Sequence, residues 1–175
     1  MSNTHYYKIP TSPQNYSGGN IISKILDGLG YRFYWVTEGL RSKDVEFRIV
    51  ESTRTTLELL LHICDLTEGV RKVANQEVLC PPFNFSELTY SELREHILQN
   101  IEEASRQFKA ISDIEIEGVK LLLEQGGENF DYPLWNVLVG PITDIGYHLG
   151  QVALNRRASG NPVNPNINPF LGYTI

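Results

Sequence analysis

Apolar residues recur at three- and four-residue steps in four long segments of the chain. This spacing is typical of amphipathic helices that bury one face. The first helix is expected over about residues 20–41 and the second over about residues 50–73. The third should begin at the capping box Thr89-x-x-Glu92. The fourth is expected over about residues 133–157.

The segments between and beyond these helices are less regular. Pro141 lies inside the fourth helical segment and should kink it. Residues 112–132 are compatible with a short strand or with a ragged helical turn, and Gly126-Gly127 breaks the chain there. Residues 1–19 predict an irregular, partly mobile arm, and an extended strap is expected from Ala158 onward. The chain is therefore predicted to be all-α, with a single four-helix-bundle domain over residues 20–175.

Charge and cysteine content narrow the classes of function. The 175 residues include 15 basic and 21 acidic side chains, a net charge of −6, and the basic residues are scattered. Nucleic acid is therefore not expected as a partner. Cys64 and Cys80 match no zinc-binding spacing, and the apolar segments are broken by charges. A reducing, cytoplasmic location without membrane insertion is the prediction.

Two polar stripes on otherwise apolar helices suggest a metal site. Asp144 and His148 are four residues apart on the fourth helix, so their side chains lie on one face. His62 lies in a narrow polar sector of the second helix. Each stripe alone is compatible with a solvated face, but polar groups buried between helices need partners or an ion. If the two stripes face each other, they form a site of two histidines and one carboxylate with open coordination positions.

Four further residues are candidates for a substrate pocket beside this site. Tyr34 and Trp35 lie next to the apolar stripe of the first helix, with polar tips that would suit a pocket, or as aromatics at the edge of the core. Glu58, one turn before His62, is a candidate for proton transfer, with a surface role as the alternative. Gln151 follows His148 on the polar stripe and would contact a ligand or satisfy polar groups of the bundle.

Several motifs resemble the DinB-like superfamily, which includes YfiT-type metal-binding proteins and thiol-dependent transferases. They are His62 within Leu-Leu-Leu-His-Ile, Asp144-x-x-x-His148-x-Gly-Gln151, and the Arg-Arg and Gly-Asn-Pro elements of residues 156–162. The resemblance implies an up-down-down-up four-helix bundle, often a homodimer, with a three-histidine metal site near one end. His62 and His148 match two of those ligands by position. Asp144 stands where the family has a histidine, so it either ligates the metal, which we favour, or orients a histidine from outside.

The resemblance also implies a chemistry. In transferase members of the superfamily, a metal activates a low-molecular-weight thiol for attack on an electrophile, and the ligand set here suits zinc, nickel, iron or manganese. A metal-dependent thiol S-transferase or hydrolase acting on a small molecule is the expected function. The alternative is a non-catalytic, stress-related dimer that binds a metal or a small ligand.

Overall fold

The computed structural model describes residues 5–174, so the first four positions of the predicted arm lie outside the described residues. The chain is mostly helical, as predicted. Its helices are α1 (Gly18–Thr37), α2 (Ser42–Val45), α3 (Thr56–Ala74), α4 (Tyr90–Ala110), α5 (Asp113–Ile116), α6 (Leu134–Val137) and α7 (Thr143–Ala158).

The four long helices pack around one apolar core. α1 and α3 each pack against both α4 and α7. Side chains from all four helices are buried in this core, including Leu26, Phe33, Leu60, Ile97 and Val152. The predicted capping box is confirmed, since the amide of Thr89 donates to the Glu92 carboxylate at 2.9 Å. None of the helices within residues 5–174 combines the length and apolar character needed to cross a bilayer.

α3 begins later than its apolar pattern predicted. A second capping box fixes the start, because the amide of Thr55 donates to the Glu58 carboxylate at 2.6 Å. The preceding residues, 46–55, form a loop instead of the first turns of a helix. Asn155 of α7 ties this loop down by donating to the carbonyls of Phe47 (3.4 Å) and Arg54 (3.3 Å). The loop therefore lies against α7.

A small sheet accompanies the helices, which the all-α prediction did not include. Strands β2 (Lys120–Gln125) and β3 (Glu128–Pro133) form an antiparallel hairpin, and β1 (Val78–Leu79) pairs parallel to β2. Gly126 and Gly127 make the turn with φ of +63° and +82°, a conformation that glycine adopts without strain. Residues 112–132, for which the sequence was compatible with a strand or a helical turn, thus contain both. The short helix α5 comes first, and the hairpin follows it. A second pair, β4 (Ile167–Asn168) and β5 (Tyr173–Thr174), lies in the C-terminal strap.

The predicted kink in the fourth helical segment is confirmed. A π-helical turn, Leu138–Ile142, separates α6 from α7, and Gly140 leaves helical geometry with φ −93° and ψ −105°. Pro141 explains the break, since proline lacks the amide hydrogen of the helical ladder and clashes with the preceding turn. The kink therefore separates the direction of α7 from that of α6, and the direction of α7 determines how its polar stripe faces α3.

Residues 5–17 are irregular, as predicted, apart from a single 3₁₀ turn at His5–Tyr7, and they are anchored to the helices. The Tyr6 ring is 1% exposed, and its hydroxyl donates to the buried carboxylate of Asp27 at 3.2 Å. Gly30 makes this possible, because a Cβ there would lie 2.7 Å from the Tyr6 ring. The amide of Ile9 also donates to the carbonyl of Gly172 at 2.8 Å, which joins the arm to the C-terminal strap.

Candidate metal centre

The structure brings together the three residues predicted as metal ligands. His62 lies in the middle of α3, and Asp144 and His148 lie one turn apart near the start of α7. Nε2 of His62 is 3.3 Å from Oδ2 of Asp144, and Nε2 of His148 is 3.4 Å from the same oxygen. One ligand atom from each residue falls within 4.8 Å of the others. The sequence-predicted triad is thus a real cluster across the α3–α7 contact.

The spacing of these atoms fits a shared ion. Ligand atoms about 2.1 Å from a tetrahedral ion are separated from one another by about 3.4 Å. The two nitrogen–oxygen distances in the triad match that edge length. The imidazole rings meet edge to face with centroids 4.7 Å apart, so both nitrogens approach the carboxylate from different directions. The triad therefore has two edges of the length that a tetrahedral transition-metal ion requires, and its third pair of ligand atoms lies within 4.8 Å.

Gln151 orients one of the histidines. Its side-chain oxygen accepts a hydrogen bond of 2.9 Å from Nδ1 of His148. A proton on Nδ1 leaves the lone pair on Nε2, which is the atom that faces Asp144. Metal-binding histidines are commonly held by such a second hydrogen bond. Tyr147 packs its ring edge against His148 at 5.3 Å between centroids and further restricts the imidazole.

Solvent reaches the triad from one side. The side chain of His148 is 8% exposed, whereas those of His62 and Asp144 are 32% and 41% exposed. His148 is thus the fixed anchor of the cluster. The other two ligands border solvent, so open coordination positions would be accessible to water or a small molecule.

A cavity of about 310 Å³ adjoins His148. Its walls come from α7, from the start of α3 and from the 46–55 loop, and Gln151 lines it as predicted. Most of the remaining wall is apolar and is supplied by Ile49, Leu59 and Leu154. A cavity of this kind beside convergent polar groups is typical of a small-molecule site.

The other predicted pocket residues lie elsewhere. Glu58 is held in the capping box of α3, where hydrogen bonds from Thr55 lower its pKa, helped by Arg48 and Arg54. Tyr34 packs edge-on against Trp35 at 5.2 Å, and Arg94 covers its ring at 4.8 Å. Trp35 donates its indole hydrogen to the carbonyl of Tyr7 at 3.1 Å. None of these three residues lines the cavity beside His148, and the polar groups of Glu58 and Trp35 are already taken by structural hydrogen bonds.

The Arg-Arg element in the last turn of α7 and the Gly-Asn-Pro element after it have a structural role. Asp44 of α2 has no exposed side-chain surface, and it accepts hydrogen bonds from Ser159 at 2.6 Å and Asn161 at 2.8 Å. Arg41 also donates to it, and the pKa of this carboxyl is held well below its usual range. Arg156 is buried and donates to the carbonyls of Trp35 and Val36 at the end of α1. The sequence pattern does not indicate this clamp, because Asp44 lies between the first and second predicted helices.

No protein-family model, curated protein or solved structure matches the chain. The resemblance to the DinB-like superfamily accordingly has no support beyond the motifs around His62, Asp144 and His148. The candidate metal centre stands separately on its geometry.

Proposed function

We propose that this chain binds one divalent transition-metal ion through His62, Asp144 and His148 and acts on a small molecule in the adjoining cavity. The observation that carries the proposal is the convergence of both Nε2 atoms on one carboxylate oxygen at 3.3 and 3.4 Å. Two nitrogens and one oxygen suit zinc, nickel, iron or manganese better than magnesium or calcium, which prefer all-oxygen sites. Direct ligation by Asp144 is favoured over an orienting role, because Gln151 already orients His148.

Within this proposal we favour thiol S-transfer over hydrolysis. A divalent ion at the site would supply a Lewis acid that deprotonates a coordinated low-molecular-weight thiol at neutral pH. Hydrolysis commonly needs a separate general base, and Glu58, the one nearby candidate identified from the sequence, is committed to its capping box.

The DinB-like assignment belongs to the same proposal. The mutual packing of α1, α3, α4 and α7 is compatible with an up-down-down-up four-helix bundle. The sequence motifs support the assignment, since His62 and His148 match two ligands of the superfamily's site and Asp144 replaces the third. A homodimer is also proposed, because large apolar side chains are exposed on three consecutive elements: Trp135 on α6, Val139 on the π-helical turn and Tyr147 on α7. A non-catalytic, stress-related dimer that binds a metal or ligand is the second candidate. The commitment of Glu58 to a helix cap favours it.

Thiol binding to the cobalt-loaded protein tests this proposal. Protein carrying one equivalent of Co²⁺ should gain an intense near-ultraviolet band, typical of thiolate–cobalt charge transfer, when mercaptoethanol is added. The loaded protein should then accelerate transfer of the thiol to chlorodinitrobenzene, in which a carbon–sulfur bond forms and chloride leaves. Stoichiometric cobalt without thiol binding would instead support the non-catalytic candidate.

A further inference from the structure

We propose that the cavity beside the metal centre selects small molecules that carry an anionic group, and that Arg54 is the residue that binds this group. The inference rests on the proposed metal function and specifies its substrate class. It begins from the composition of the cavity wall. His148 and Gln151 form one part, and Ile49, Leu59 and Leu154 form the apolar part. Among the lining residues that the structure describes, Arg54 is the one with a cationic guanidinium.

The guanidinium of Arg54 is available for a ligand. Arg48, on the same loop, pairs with the Glu58 carboxylate at 3.5 Å. Arg54 has no salt-bridge partner within residues 5–174 and only a longer-range attraction to Glu58. It is exposed and borders an apolar cavity. A guanidinium in this position presents a planar set of donors suited to a carboxylate or sulfonate.

The backbone is held at the carbonyl of Arg54 and at the residue that follows it. Its carbonyl accepts a hydrogen bond of 3.3 Å from the side chain of Asn155, which is 3% exposed. The next residue, Thr55, is the N-cap of α3 and accepts from the amide of Glu58 at 3.1 Å. Arg54 is therefore held at the cavity by α7 and α3 together, and only its side chain is free to close on a ligand.

The negative net charge of the protein makes a local cation important for binding an anion. The chain has a net charge of −6, and a protein of that charge repels anions at long range. An anionic substrate would therefore need a local cation to enter, and Arg54 supplies one at the cavity wall.

These features define the ligand by its chemistry. One end carries a thiol or another group that binds a transition metal, the middle is short and apolar to suit Ile49, Leu59 and Leu154, and the far end is anionic. Mercaptopropanesulfonate has this form, and mercaptopropanol is its neutral counterpart. Because a sulfonate is a poor metal ligand, the thiol end is directed to the metal and the anionic end to Arg54.

Affinities of the two thiols for the cobalt-loaded protein, read from the charge-transfer band, test the inference. An exposed ion pair contributes up to about 1 kcal/mol, so the sulfonate should bind about fivefold more tightly at low ionic strength. Arg54→Ala should equalise the two affinities, whereas Arg54→Lys should keep part of the preference. Arg48→Ala, the matched control, should keep all of it. Raising the salt concentration should shrink the difference in the wild-type protein.

The possible outcomes distinguish a failure of this inference from a failure of the proposed metal function. If the protein takes up no stoichiometric Co²⁺, the proposed metal function fails, and this inference fails with it. If cobalt binds but neither thiol does, or both bind with equal affinity, the substrate class is wrong while the metal site stands. Loss of preference in Arg48→Ala, or an equal drop for both thiols in Arg54→Ala, would also overturn the role given to Arg54.

Discussion

Replacing His148 with alanine should lower the affinity of the protein for Zn²⁺ by more than about 100-fold. Residues that merely orient a metal ligand contribute 10- to 100-fold to affinity, so loss of a ligand should exceed that range. His148 is the least exposed member of the triad, and its Nε2 faces Asp144 at 3.4 Å. Competition titration against a chromophoric chelator would measure the change.

Two further variants test whether the loss of zinc affinity is specific to the triad. Gln151→Leu removes only the hydrogen bond to Nδ1 of His148, so we expect an intermediate loss of about tenfold. His96→Ala changes a histidine of α4 that contacts Phe85 and lies outside the triad, and it should leave the affinity unchanged. An equal loss in His96→Ala and His148→Ala would mean that zinc binds nonspecifically to histidines.

Asp44→Ala should lower the free energy of unfolding by about 3 kcal/mol at neutral pH, because it removes a fully buried carboxylate that accepts several hydrogen bonds, two of them from a charged guanidinium. Arg41, Ser159 and Asn161 all donate to this carboxylate. For a domain of this size the loss corresponds to a decrease in melting temperature of about 9 °C. Chemical denaturation and calorimetry would measure both quantities. Asp131→Ala, which removes an exposed carboxylate paired with Lys120, is the control and should have little effect.

The effect of Asp44 should also depend on pH. Hydrogen bonds from Arg41 and other donors lower the pKa of this carboxyl in the folded state, from an ordinary value of 3.8. A group with a lowered folded pKa stabilises the protein above its unfolded pKa, and the contribution declines as the pH falls below that value. The stability difference between wild type and Asp44→Ala should therefore be constant near neutrality and narrow below about pH 3.8. A difference that is the same at pH 3 and pH 7 would contradict the assigned role.

The helices and the triad were predictable because their signals are local. Apolar periodicity identified the buried stripes of α1 and α4, and Pro141 identified the kink before α7. His62, Asp144 and His148 were recognisable because each is a polar residue on a helix that is otherwise too apolar for the surface. When α3 packs against α7, these three polar side chains have few possible partners other than one another or a bound ion.

Two errors came from signals that were present but not used. Thr55-x-x-Glu58 has the same form as the capping box at Thr89, and it marks the start of α3 and the cap role of Glu58. Gly126-Gly127 lies between two runs of strand-forming residues, which is the pattern of a two-residue hairpin turn. Local rules would have corrected both the helix start and the missing hairpin.

Other features have no local signal. Asp44 looks like an ordinary loop residue, and its partners Ser159 and Asn161 are more than a hundred residues away in sequence. The side chains of Tyr34 and Trp35 take partners from α4 and from the N-terminal arm, which helical periodicity does not specify. The position of Arg54 at the cavity also has no local signal, because it depends on the hydrogen bond from Asn155 that holds its loop against α7.

The most direct test of the metal centre is X-ray absorption spectroscopy of the protein loaded with one equivalent of Zn²⁺. The account predicts two imidazole nitrogens at about 2.0–2.1 Å and at least one oxygen in the first coordination shell. One imidazole should disappear in His62→Ala and one in His148→Ala. A zinc ion bound by oxygen alone, or a spectrum that neither substitution changes, would contradict the proposed site.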